Sequence, residues 1–166
     1  MTHKFPRTAL LALGLACSLS GCSADSLATS SFRNRIHPGQ GLDTVTLGES
    51  KEQVEKALGA PEGTDQNDFN KSQTYDLYYS KGLELGFARG ELESIVCHPQ
   101  KDRWVAYPGA TAEGLWVGSR KSDFEKVLGT PKAAFPEALK YPTGLWGEFD
   151  KDGKVLDLRV LKPGKA

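Results

Sequence analysis

The chain has 166 residues, with 21 Lys and Arg against 21 Asp and Glu. That balance leaves no basic footprint of the kind a nucleic-acid binder needs, so a nucleic-acid partner is excluded from the reading. The length supports one hydrophobic core or two small fused ones.

The N-terminus opens with Lys4 and Arg7, followed by an apolar stretch from Ala9 to Leu19 and then Leu19-Ser20-Gly21-Cys22. A positive start, a short apolar run and small residues before a cut describe an export signal. The run is too short to span a bilayer, which needs about 20 apolar residues. Charges interrupt each later apolar stretch. Leu-Ser-Gly-Cys resembles a bacterial lipobox, which implies cleavage after Gly21 and acylation of Cys22, the proposed lipidation site. Two or three acyl chains give stable anchoring where one chain binds only marginally. Ser23 follows the lipid Cys, and Asp at that position would resemble an inner-membrane retention signal. The resemblance therefore implies an outer-membrane anchor facing the periplasm, or the cell membrane where no outer membrane exists. Residues 1–21 are read as signal and residues 22–36, rich in Ser and Ala, as a flexible tether.

Of the three cysteines, Cys17 leaves with the signal and Cys22 carries lipid. Cys97 stays alone, so no internal disulfide forms despite an oxidising compartment.

An internal repeat organises the remainder of the chain. Residues 48–61 and residues 118–131 align without gaps at an offset of 70, and seven of fourteen positions are identical, among them Lys51 and Lys121, Leu58 and Leu128, Gly59 and Gly129, and Pro61 and Pro131. Tyr79 to Leu83 matches Tyr141 to Leu145 at offset 62. Repeat 1 is placed at residues 37–106 and repeat 2 at residues 107–166. In the first copy Ser50 and Gln53 form a capping box. Ser119 is the expected cap in the second. Val54, Ala57 and Leu58, and likewise Phe124, Val127 and Leu128, recur at helical spacing and predict one narrow apolar stripe per helix. Gly59 and Gly129 are expected in the left-handed conformation that ends a helix, with Pro61 and Pro131 preventing continuation.

Strands come after each helix. Tyr75, Leu77 and Tyr79 are assigned to the buried face, with Thr74, Asp76 and Tyr78 on the open one. Leu83, Leu85 and Phe87 are set against Glu84 in the same way. In the second copy Leu145 and Phe149, then Leu156, Leu158 and Val160, carry the alternation. The predicted class is α+β: two tandem repeats, each a helix followed by a three-stranded antiparallel meander, with the helices packed on one face of the sheet. Glu62 to Gln73 is read as a polar solvated loop.

The pattern Gly-x-Ser-Lys-x-x-Val-x-x-x-Leu-Gly-x-Pro, followed by a Tyr-rich strand and a Gly-turn hairpin, resembles the SmpA/OmlA (BamE-type) family of outer-membrane lipoproteins. Two such units in tandem resemble the beta-lactamase inhibitory proteins. The resemblance covers about Pro38 to Pro163. It implies a non-catalytic, protein-binding sheet. BamE-type proteins carry one copy and the inhibitory proteins carry disulfides and no lipid, so no contact residue is carried over from either.

Enzymatic chemistry has little support in the residues. Downstream of the signal the histidines are His37 and His98, each before a proline, and neither has a motif-placed nucleophile or carboxylate partner. Both read as loop residues, and no cofactor is implied. Cys97 and His98 are adjacent and point to opposite faces of a strand, so they cannot share one metal ion. The open sheet face is the candidate binding surface, with Tyr78, Glu84, Trp146, Glu148 and Arg159 on it and Phe69 and Trp104 in flanking loops. Trp146 stands where the first copy has Glu84, and aromatics and Arg anchor protein interfaces. Trp146 is read either as such an anchor or as a ring covered by the connector around Trp104 and Tyr107. The expected function is a membrane-anchored binding module with a protein partner, an accessory in outer-membrane assembly or integrity. A periplasmic hydrolase inhibitor and an envelope small-ligand sensor are the alternatives.

Overall fold

The structure, a computed structural model, describes residues 34–164. The expected export signal, Cys22 and most of the expected tether lie outside the described residues. A small hairpin comes first: β1 (Ile36–His37) pairs with β2 (Gly41–Leu42). Ile36 is fully buried, so the packed chain begins before His37, the expected start of repeat 1. Helix α1 (Lys51–Leu58) precedes β3 (Gly63–Gln66), β4 (Gln73–Tyr78), β5 (Leu83–Ala88) and β6 (Glu91–Cys97). Helix α2 (Lys121–Leu128) precedes β7 (Ala133–Phe135), β8 (Ala138–Lys140), β9 (Leu145–Phe149) and β10 (Val155–Leu161).

The eight strands β3 to β10 form one antiparallel sheet in the order β3-β4-β5-β6-β10-β9-β8-β7. The last strand of each series meets at the centre, where Leu158 opposes Cys97 and Val160 opposes Ile95. Ahead of each helix the chain is tied to the last strand of its own series. Leu92 donates its N–H to Glu49 O at 2.9 Å, and Val155 donates to Ser119 O at 3.1 Å.

Each helix is followed by four strands rather than three. The additional strand in each series, β3 or β7, is short, largely exposed and at the sheet edge, where pairing on one side needs no apolar alternation. Part of the segment read as a solvated loop is therefore β3, paired to β4 from Gly63↔Leu77 to Gln66↔Thr74. The solvated turn that remains is narrower, and Asn67 organises it by accepting the N–H of Phe69 at 2.9 Å.

One face of the sheet carries the core. Leu83, Leu85, Phe87, Ile95, Cys97, Leu145, Phe149, Leu158 and Val160 pack with Val54 of α1 and Phe124 of α2 in a single cluster. Leu156 leaves its expected column. A register shift between Val155 and Asp157 turns Val155 inward, and Leu156 is exposed. The helices bury less than their stripes promised. Val54 and Phe124 are fully buried and Leu58 and Leu128 partly so, while Ala57 and Val127 are exposed. Phe124 meets Phe149 edge-on at 5.2 Å, a geometry that adds about 1 kcal/mol beyond burial.

Ser50 caps α1 as expected, and its N–H donates to the Gln53 side chain at 2.8 Å. At α2 the cap is Arg120, not Ser119. Arg120 donates its backbone N–H to Asp123 Oδ2 at 2.7 Å, and the Ser119 hydroxyl instead accepts from Trp116 N at 3.1 Å. Gly59 (φ 86°, ψ −179°) and Gly129 (φ 70°, ψ −140°) have positive φ but fall outside the left-handed helical well, in a region open essentially to glycine alone.

The face assignment of β4 is reversed. Thr74, Asp76 and Tyr78 oppose Phe87, Leu85 and Leu83, so they point into the core, and Tyr75 and Leu77 point out. Both columns of β4 mix polar and apolar residues, and alternation alone could not rank them. Two contacts decide. Tyr78 Oη donates to Gly59 O at 3.1 Å, and Lys51 Nζ reaches Asp76 Oδ1 at 2.7 Å. Asp76 is fully buried, and an unpaired carboxylate there would be severely penalised.

Lys51→Ala is therefore expected to cost about 3 kcal/mol, near the lower end for a broken buried pair because Lys51 keeps solvent contact. Lys51→Ala combined with Asp76→Leu should recover most of that loss. Lys121→Ala, which removes only bonds to the Phe135 and Pro136 carbonyls, should cost no more than about 1 kcal/mol. Urea denaturation of the three variants checks the order, and a Lys51→Ala cost no larger than that of Lys121→Ala would refute it.

Candidate functional site on the open sheet face

The face of the sheet opposite the core carries a row of polar and aromatic side chains that runs across the central strands. Cross-strand register fixes the row: Leu77 opposes Glu84, Glu84 opposes Val96, Val96 opposes Arg159, Arg159 opposes Trp146, and Trp146 opposes Lys140. Asp157 and Glu148 form the adjoining pair. Residues directly opposite in an antiparallel ladder share a face, so six strands contribute to one surface.

Trp146 is half-buried and held between two cations. Lys140 Nζ lies 3.7 Å from the ring centroid, and the Arg159 guanidinium lies at 5.2 Å. Such contacts contribute about 0.5–1 kcal/mol each at exposed sites. The Trp146 indole N–H and Arg159 Nε are buried without a hydrogen-bond acceptor among the described residues. Beside them is a shallow cleft of about 210 Å³, whose walls include Gln73, Tyr75, Glu93, Ser94, Trp146 and Leu161.

A chain of alternating charges continues from this cleft. Arg159 pairs with Glu148 at 3.2 Å and with Asp157 at 3.5 Å. Asp157 in turn holds His98 Nδ1 at 3.0 Å, and Glu84 lies 3.5 Å from His98 Nε2. Burial works against the charged imidazolium, but the contact with Asp157 and then the nearby Glu84 carboxylate outweigh it, and the His98 pKa is raised. Trp104 stacks on the His98 ring at 4.0 Å and meets Tyr79 edge-on at 4.5 Å.

The structure thus brings Trp146, Glu84, Glu148 and Arg159 together as the sequence indicated. Tyr78 does not belong with them: it is buried in the core. Trp104 is a brace against His98 and Tyr79, and it does not cover Trp146. Phe69 is fully exposed at the β3–β4 turn, away from the row. Sequence reasoning missed His98, Tyr75 and Lys140. Extending the Ile95–Cys97 alternation by one residue would have put His98 on the open face, but the following Pro99 made it read as a loop. His98 has two carboxylate partners and His37 one, Asp43 Oδ1 at 2.7 Å. Among the described residues no group of three His, Cys, Asp or Glu side chains could hold a metal ion. The row offers charge pairs and an aromatic ring.

No family model matches the sequence, and no curated protein matches it. Among solved structures, the chain is similar to a DUF4309 family protein (YjgB) from Bacillus subtilis, at 18% identity and a TM-score of 0.52, over 83% of this chain and 94% of that one. That likeness concerns the fold alone. A cysteine-rich secretory protein from Staphylococcus aureus aligns at 16% identity and a TM-score of 0.49, over 78% of this chain and 48% of that one. An extracellular protein containing a SCP domain from Bacillus anthracis aligns at 11% identity and a TM-score of 0.47, over 70% and 44%. This chain spans less than half the length of those two proteins.

The raised His98 pKa has a definite sign. A group whose folded pKa lies above its unfolded value, about 6.5 for histidine, contributes stability that is complete below the unfolded value and is lost as pH rises through the folded one. The melting temperature should therefore carry a component that falls as pH rises above about 6.5, and His98→Gln should lack that component. Identical pH profiles for the two proteins would mean that His98 contributes nothing to the pH dependence.

Proposed function

We propose that this chain is an envelope lipoprotein, anchored through acylated Cys22, that binds a protein partner on the open face of its sheet. The observation that carries the reading is Trp146: a large ring on the solvent side of the sheet, flanked by Lys140 and Arg159, next to a cleft and to unpartnered buried donors. Core packing gives no reason for a Trp there. Interface anchors are typically aromatic or Arg residues set in a charged surround. The salt bridges around it pre-position Arg159 and Glu148, which lowers the ordering cost of binding.

We further infer that residues 37–106 and residues 107–166 are two copies of one unit. The sequence identities support this, as do the equivalent ties from Leu92 to Glu49 and from Val155 to Ser119 and the meeting of β6 with β10 at the sheet centre. The resemblance to SmpA/OmlA lipoproteins makes an accessory role in outer-membrane assembly or integrity the preferred setting. Lipidation would raise the local concentration of the module at the membrane. One observation favours a second reading, inhibition of a hydrolase: Phe69 is fully exposed on a turn that Asn67 holds in shape, a form suited to insertion into a cleft.

Two measurements test this reading. Cys22→Ala should abolish incorporation of labelled fatty acid and release the protein from the membrane fraction. A photoreactive residue at position 146 should give adducts with envelope proteins in intact cells, and the same probe at Val127, on the helix side, should give none. Trp146→Ala should weaken capture of the crosslinked partner about thirtyfold, the effect of losing about 2 kcal/mol at an interface anchor. Equal adducts from both positions would overturn the open-face reading, and adducts with a soluble hydrolase that depend on Phe69 would favour the inhibitor.

A further inference from the structure

A second concavity lies on the other side of the molecule. It is a groove of about 480 Å³ between the end of α1 and the connector that follows β6, lined mainly by Ala57, Leu58, Leu83, Val105, Ala106 and Tyr107. The connector is fixed as its wall. Val105 donates its N–H to Tyr79 O at 3.0 Å and Tyr107 donates to His98 O at 2.9 Å. Gly82, at φ 66°, lets the connector approach, since a Cβ there would stand 2.2 Å from Val105 O. Despite its position in the wall, Val105 is 46% exposed.

The described chain begins on the rim of this groove. Asn34 is one of its lining residues. Its carbonyl accepts the Tyr107 hydroxyl at 2.9 Å, and two residues on Ile36 donates to Ala110 O at 2.9 Å. Both the position and the direction of the entering chain are therefore set. The segment before it, Ser23 to Arg33, consists of small or polar residues except for Leu27 and Phe32. Phe32 is two residues from Asn34, and two residues of chain span at most about 7 Å.

We propose that this groove is the docking site of the chain's own N-terminal segment, with Phe32 as the inserted side chain. Burying the ring against Leu58, Val105 and Ala106 removes apolar surface on both partners. The attachment is local, since a two-residue linker keeps the effective concentration of the ring high. Docking itself does not depend on lipidation. One consequence rests on the lipoprotein reading: the anchor would leave the body on the helix side, with the Trp146 face turned away from the point of attachment.

The test uses the full mature chain with a benzophenone side chain in place of Phe32. Irradiation should give intramolecular crosslinks to Leu58, Val105 or Ala106. Val105→Glu, on the exposed rim, should reduce those crosslinks at least tenfold while the melting temperature of the body stays within a few degrees. Independently, Phe32→Ser should raise the rate of tryptic cleavage after Arg33 at least tenfold. Crosslinks to phospholipid acyl chains, to a second copy, or to no groove residue would overturn the proposal, as would a cleavage rate insensitive to Phe32→Ser. A failure of Cys22 acylation would leave the crosslink pattern unchanged, so the two readings fail separately.

Discussion

The pairing of β6 with β10 is the contact on which the architecture depends. Each strand series alone would end in an edge with unpaired N–H and C=O groups, a liability that invites edge-to-edge association. Joining those two edges leaves only the short strands β3 and β7 at the margins. It also merges what would be two small cores into one cluster that spans both helices. A half-size unit buries too small a fraction of its surface to be comfortably stable alone, and among the described residues the lone cysteine, Cys97, is free, so no disulfide compensates. The sheet centre supplies the missing constraint, and the same pairing creates the open face, because Val96 and Arg159 meet only when β6 and β10 are adjacent.

Much of the secondary structure was legible in the residues. The Ser50 capping box, the glycines and prolines that close the helices, and the alternation from Leu83 to Phe87 and from Leu158 to Val160 all mark elements that the structure contains. What escaped was set by tertiary contacts. The strands β3 and β7 lie at edges and carry no periodic pattern. Asp76 turned inward because Lys51, 25 residues earlier, waits there with a charge. A local pattern does not encode that meeting, and reversing one strand exchanged Tyr75 for Tyr78 on the candidate surface. Ser119 lost its expected role because α2 starts one residue later, at an Arg120 cap, and its hydroxyl accepts from Trp116 N instead.

The candidate site was partly legible for the opposite reason. Trp146, Glu148, Asp157 and Arg159 sit on strands whose opposite column is mainly apolar, so alternation placed them correctly. The network among them was not readable, since it needs cross-strand register. His98 shows the difference well. As a residue before a proline it looked idle, but in three dimensions it links β5 to β10 across the strand between them and supports Trp104 as well. The face is therefore stiff at its His98 end, while the cleft beside Trp146 keeps donors without partners. Rigidity around an incompletely satisfied centre is an arrangement suited to recognition, where a partner can complete the hydrogen bonding with little reordering.

Cys97 is fully enclosed in the core, opposite Leu158, and burial, with a smaller effect of Asp157, pushes its thiol pKa upward. The thiolate is the reactive species, so the sulfur in the folded protein is both screened and uncharged. Dimers bridged through this residue would have to form from opened chains. The thiol is thus a built-in register of conformational opening: its rate of modification follows how often the sheet centre comes apart, and the alkylated fraction in a cell sample would record the share of molecules whose central strands had separated.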